Sequence, residues 1–153
     1  MQDHNDKQVD ARSQAEVNEE IKEISSEILD IVAAQGKVSE PGPGVSTCKE
    51  SGVDTHFKMR HTWSLSSSQR DELAYSMERL KQQLPGRGWE IQGYGPNNSQ
   101  NRNLTLTADH PEKKYGTRIE FRENKDGDGK PMLLVGVVSD CYKVPDGETV
   151  ERY

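Results

Sequence analysis

The chain holds two cysteines, Cys48 and Cys141, and they bracket nearly every segment that carries a folding signature. Cys48 follows a breaker, Glu40-Pro41-Gly42-Pro43-Gly44, and Cys141 follows the strongest apolar run, residues 132–138. A lone pair so placed reads as a disulfide tying the start of a sheet to its end, and as a mark of an oxidising compartment. The other reading is two buried thiols packing as small hydrophobes. A bridge would close a loop of about 90 residues and stabilise the fold by on the order of 4–5 kcal/mol in the chain-entropy picture. That contribution matters because 31% of residues are hydrophobic and 30% are charged, so the core must be small.

The length of 153 residues fits one domain with short tails. The net charge is -6, whereas a surface that binds phosphate backbones needs a basic excess, so nucleic acid is not an expected partner. The run at 132–138 is far too short to span a bilayer. No apolar segment follows Met1-Gln2-Asp3-His4-Asn5-Asp6-Lys7, so an exported form is expected to derive from a longer precursor whose signal has been removed.

Residues 1–12 are polar and read as a disordered tail or membrane tether. Ser13 with Glu16 forms a capping-box pattern, which starts a helix running to about Gln35 with Gly36 as its stop. Val17, Ile21, Ile24, Ile28 and Ile31 form a narrow apolar seam along it, widened by Leu29 and Val32. That seam fits docking on its own domain, or pairing with a helix of another chain. Residues 56–65 alternate strictly: Phe57, Met59, His61, Trp63 and Leu65 share one face, and Lys58, Arg60, Thr62 and Ser64 the other. Ser66, Ser67 and Ser68 are read as the cap of a second helix, with Leu73, Met77, Leu80 and Leu84 as its stripe and Pro85-Gly86 as its end. Four more strands follow, at 89–95, around Leu104–Leu106–Ala108, around Thr117–Ile119–Phe121, and at 132–138.

The order α-β-α-β-β-β-β constrains the sheet. A helical crossover sets the second strand parallel to the first, and three hairpin-like connections then alternate direction. The fifth strand runs antiparallel to the first and brings Cys141 beside Cys48. The expected architecture is a two-layer α+β sandwich, an antiparallel sheet in order 2-3-4-5-1 with helices on one face. It is a single domain over 13–148, with a C-terminal tail at 149–153.

No pattern in the chain converges on catalysis. His61 shares the apolar face with Trp63 and reads as a hydrogen-bonded core or rim histidine. No histidine pair has the spacing of a helical zinc site. Asn124-Lys125-Asp126-Gly127-Asp128-Gly129 starts like a calcium loop, but Val135 stands where a bidentate Glu is needed, so a hairpin turn is expected. Lys58, Arg60, Arg118 and Arg122 form a possible binding face on the side of the sheet away from the helices. Phe57, Trp63, Met77 and Trp89 are the possible lining of a cavity between sheet and helix.

A further signal lies in the order of local segments. Trp63-Ser64-Leu65 after a cysteine, an amphipathic helix, Leu84-Pro85-Gly86-Arg87-Gly88-Trp89-Glu90-Ile91, and the close Val137-Val138-Ser139-Asp140-Cys141-Tyr142-Lys143-Val144-Pro145-Asp146-Gly147 resemble the small actinobacterial lipoproteins. The resemblance covers about residues 12–148 and includes the mycobacterial lipoprotein A type and similar Streptomyces lipoproteins. It implies a signal peptide, a lipid anchor on an N-terminal cysteine and a place in the cell envelope. This chain has no such cysteine, so membrane attachment is expected only through a lipid on its precursor. The resemblance maps no catalytic residue and no cofactor. The expectation is a non-catalytic extracytoplasmic binding domain whose partner is an envelope protein, glycan or lipid. The alternative is a carrier of a small apolar ligand.

Overall fold

A computed structural model describes residues 9–48, 52–123 and 129–152. The fold is α+β, with two helices and an open antiparallel sheet of eight strands. Helix α1 spans Gln14–Val32, followed by short strands β1 (Lys37–Val38) and β2 (Gly44–Ser46) and the long β3 (His56–Ser66). Helix α2 (Arg70–Gln83) leads through a 3-10 turn, Pro85–Arg87, into β4 (Glu90–Pro96). Then come β5 (Leu104–His110), β6 (Tyr115–Arg122), β7 (Met132–Ser139) and β8 (Tyr142–Lys143).

The long strands lie side by side as β3-β7-β6-β5-β4, all neighbours antiparallel. The order differs from the expected five-strand sheet by three short strands, β1, β2 and β8, all paired to β3. Two- and three-residue strands leave no periodicity to read. β1, the neighbour of β3 opposite β7, covers part of what would otherwise be an open edge for pairing with other chains. Cys48, just after β2, is bonded to Cys141, just before β8, with Cα atoms 5.9 Å apart. The bridge thus joins two segments that flank the same strand.

The helices pack on one face. Val17, Ile21, Ile24, Ile28, Ile31 and Val32 of α1 are buried in the same cluster as Leu73, Met77 and Leu80 of α2 and the inward residues of the strands. The α1 seam therefore serves its own domain. Ser13 caps α1 as its sequence indicates, accepting the Glu16 amide at 3.0 Å. The C-terminus differs from expectation. The helix stops at Val32, with Ala33 in the left-handed region at φ 50°. Helix α2 stops it: Ser76 Oγ donates to the Val32 carbonyl at 2.6 Å, and the Arg79 guanidinium donates to the carbonyls of Ile31 and Val32. Gly36 serves another need, because a Cβ there would lie 2.2 Å from the Ser66 carbonyl oxygen.

The serine cap of α2 is also corrected. Ser66 ends β3, the N-cap is Gln69, and Ser67 Oγ accepts the Gln69 amide at 3.0 Å. Both ends of the described chain are attached. The Arg12 amide donates to Lys143, and the Val150 amide to Asp54.

Phe57 and Met77 are fully buried, and Trp63 and Trp89 are each 4% exposed. They belong to one packed cluster and are not gathered around an open space, because their strands and helices close directly onto one another. Trp89 meets the His110 ring edge-on, with centroids 5.2 Å apart.

Candidate functional site: the open face of the sheet

The alternate residues of the long strands face away from the helices. Pairing register lays them in rows. One row is Arg60, Val138, Gly116, Asp109 and Glu90; the next is Thr62, Gly136, Arg118, Thr107 and Gly93; the third is Ser64, Leu134, Glu120, Thr105 and Gly95. Four of these positions are glycine. A Cβ at Gly95 would meet nothing within 4 Å, and one at Gly136 only the Arg118 carbonyl oxygen at 3.9 Å. The face is hollow there for want of side chains.

Two depressions result. One of about 730 Å³ runs from Gly93 along the 95–99 segment to Arg118, Glu120 and Arg122. The other, of about 600 Å³, lies among Arg60, Thr62, Asp109, Gly116 and Gly136. Both are lined by Thr107 and Arg118, so they form one trough across the sheet.

Glu120 organises its basic side. The residue is 4% exposed. Its Oε2 accepts Nδ2 of Asn103 at 2.8 Å and of Asn97 at 3.0 Å. Its Oε1 accepts Arg122 Nε at 3.3 Å, and Arg118 Nη1 lies 3.8 Å away. Burial opposes its charge, but the two amides and the Arg122 guanidinium outweigh burial and hold its pKa below the usual carboxylate value. Both arginines are about half exposed in their side chains. Arg60 lines the second depression and makes no ion pair among the described residues. Lys58 follows on the same face of β3 but lines neither depression.

The tyrosines of β4 and β6 turn the other way. Tyr94 donates to Glu78 of α2 and Tyr115 to Glu20 of α1. Burial and then the Glu78 carboxylate push Tyr94 up to about 12. Burial and then Glu20 likewise raise Tyr115.

A separate groove of about 320 Å³ lies between α1 and residues 38–42. His61 forms part of its wall, hydrogen-bonded to Ser25 Oγ at 2.7 Å and to the Pro41 carbonyl at 2.9 Å. Trp63 borders the groove, alone among the four aromatic and Met residues expected to line a cavity.

Among the described residues, no three His, Cys, Asp or Glu side chains gather to hold a metal ion, and no helix is long and apolar enough to cross a membrane. The calcium-like stretch lies outside the described residues, except Gly129.

Fold and face together define a class: a two-layer α+β sandwich, tied by a disulfide at one edge and open on one sheet face. No family model matches the chain, and neither a curated protein nor a solved structure matches it.

Of the expected basic residues, the fold brings Arg118 and Arg122 onto one carboxylate and sets Arg60 along the same trough. Glu120 was missed, although its alternation with Arg118 and Arg122 places it in phase with them. Asn97 and Asn103 carry no such signal, because only the chain path between β4 and β5 brings them to Glu120.

Proposed function

We propose that this protein is a non-catalytic binding domain of the extracytoplasmic space, lipid-anchored in its precursor, that holds an anionic cell-envelope partner on its open sheet face. The observation that carries this reading is the glycine-floored trough with Arg118 and Arg122 set side by side on Glu120. Guanidinium forks match carboxylate and phosphate groups, and here Glu120 engages only part of each fork. Binding fits better than catalysis, because a general acid needs a raised pKa whereas Glu120 is surrounded by donors and held charged. The disulfide fits an oxidising environment, and the lipoprotein resemblance supports an envelope location. The reading calls for no cofactor. The carrier alternative finds Phe57, Met77 and Trp89 used in packing, which leaves it only the groove beside Trp63.

Retention on immobilised polygalacturonate and on phosphatidylglycerol vesicles tests the reading. The wild-type chain is expected to be retained on one of them and released by salt, and Arg60→Ala with Arg118→Ala to flow through. No retention on either at low salt, or equal retention of the variant, overturns it.

A further inference from the structure

We propose that the anionic partner of the open face is a carboxylated polysaccharide, a chain of uronic acid sugars lying along the trough. The inference rests on reading that face as an anion-binding site and names its ligand.

Charge in the trough stands at two places. Arg118 and Arg122 converge on the same oxygen of Glu120 and form one cationic station. Arg60 forms a second, with no ion pair among the described residues. Arg60 lies two strands across and two residues along from Arg118, which strand geometry converts to about 12 Å between their backbones. Glu120 stands in the row beyond Arg118, so it draws that guanidinium away from Arg60. One small anion therefore engages one station. A ligand that engages both carries its charges at intervals along a chain.

The surface between the stations selects hydroxyls. Thr62, Gly136, Arg118 and Thr107 follow one another across the sheet, so a ligand passing over Gly136 comes close to the backbone. Thr105 and Thr117 spend their hydroxyls on the carbonyls of Asn103 and Gly136. Thr62 and Thr107 make no side-chain hydrogen bond among the described residues, and both line the trough. A hydroxyl both donates and accepts, so sugar hydroxyls can pair with either.

Other polyanions fit less well. The three arginines face two carboxylates, Glu120 and Asp109, which leaves a small net positive charge for a sparsely charged chain. A bilayer would cover the whole face, and Asp109 and Glu90 in the row of Arg60 would meet its anionic headgroups. A single chain along the arginines passes three and four strands from Arg60 to those acids only at its far side. The three rows carry no aromatic ring on which a nucleobase could stack.

The test follows a fluorescently labelled oligogalacturonate by anisotropy. It should bind saturably and be displaced by the unlabelled oligomer. The methyl-esterified oligomer keeps the hydroxyls without the charge, and polyglutamate keeps the charge without the hydroxyls. Each should compete about tenfold more weakly. Galacturonate monomer, which reaches one station, should compete more weakly still, and phosphatidylglycerol vesicles should neither compete nor sediment the protein. Thr62→Val with Thr107→Val should weaken the oligomer about tenfold and leave polyglutamate unchanged. Polyglutamate or vesicles binding as tightly as the oligomer, or an unaffected double variant, overturns the glycan and leaves the anionic face standing. No binding of oligomer, polyglutamate or vesicles at low salt overturns both.

Discussion

On β7, Leu133, Val135 and Val137 point to the helices and are fully buried, while Met132, Leu134, Gly136 and Val138 on the other face are only partly covered. On β6, Ile119 and Phe121 face in and are buried, while Arg118 and Arg122 face out and are exposed, with Glu120 buried between them on the outer side. Each strand therefore serves two ends through its period of two. The inner face gains stability from apolar area removed from water. The outer face gives up that gain at its glycines and arginines and keeps a trough. The difference teaches that stability and binding in this small domain can be altered separately, one face at a time.

The largest effect should come from the inner face. Trp89→Ala is expected to cost about 3–5 kcal/mol in a chemical melt, as large buried side chains do. A loss under about 1 kcal/mol would break the contrast between the faces. Next is the edge. Replacing Cys48 and Cys141 with Ser should cost about 2–4 kcal/mol. Intact mass after alkylation in denaturant without reductant should show no modified thiol, and two modified thiols would remove the bridge.

Glu120 sharpens the contrast, because it is a buried charge on the open side. Its folded pKa is depressed below the ordinary 4.5. Its stabilisation is therefore fully present above that value and lost as pH falls through the folded value. Glu120→Gln should cost about 1.5–3 kcal/mol near neutral pH, as lost hydrogen bonds to a charged group do. It should also flatten the acid side of the stability profile below pH 4.5. An unchanged acid slope would show that the network adds nothing to folding.

The smallest stability effect is expected at Gly136→Ala. Its Cβ meets no atom closer than 3.9 Å. A strand glycine is about 0.5–1 kcal/mol worse than alanine, so stability should hold or rise by up to that amount. Retention on the polyanion should fall, because the methyl group enters the trough. A clear loss of stability would mean that the glycine serves the fold.

Much of the fold was legible from periodicity. The strict alternation at 56–65 matches β3, and the 3-and-4 spacing of Val17, Ile21, Ile24, Ile28 and Ile31 matches the buried side of α1. The arginines of the open face were legible for the same reason. Glu120 was legible in phase but not in its partners, since Asn97 and Asn103, which donate to it, lie 23 and 17 residues away in sequence. The groove was not legible, because it depends on where the Pro/Gly segment lies against α1.

The sequence by itself determined which faces of helices and strands are apolar, where Ser13 starts α1, and that two cysteines flank the sheet. These follow from local spacing, which the backbone geometry of each element converts directly into sides. Only the tertiary structure decided where α1 ends, because the donors that cap Ile31 and Val32 come from Ser76 and Arg79 on α2. It alone also decided that three short strands pair with β3 and that Glu120 gathers two amides and two arginines. Those outcomes depend on groups far apart in the chain, whose meeting is set by packing and not by spacing.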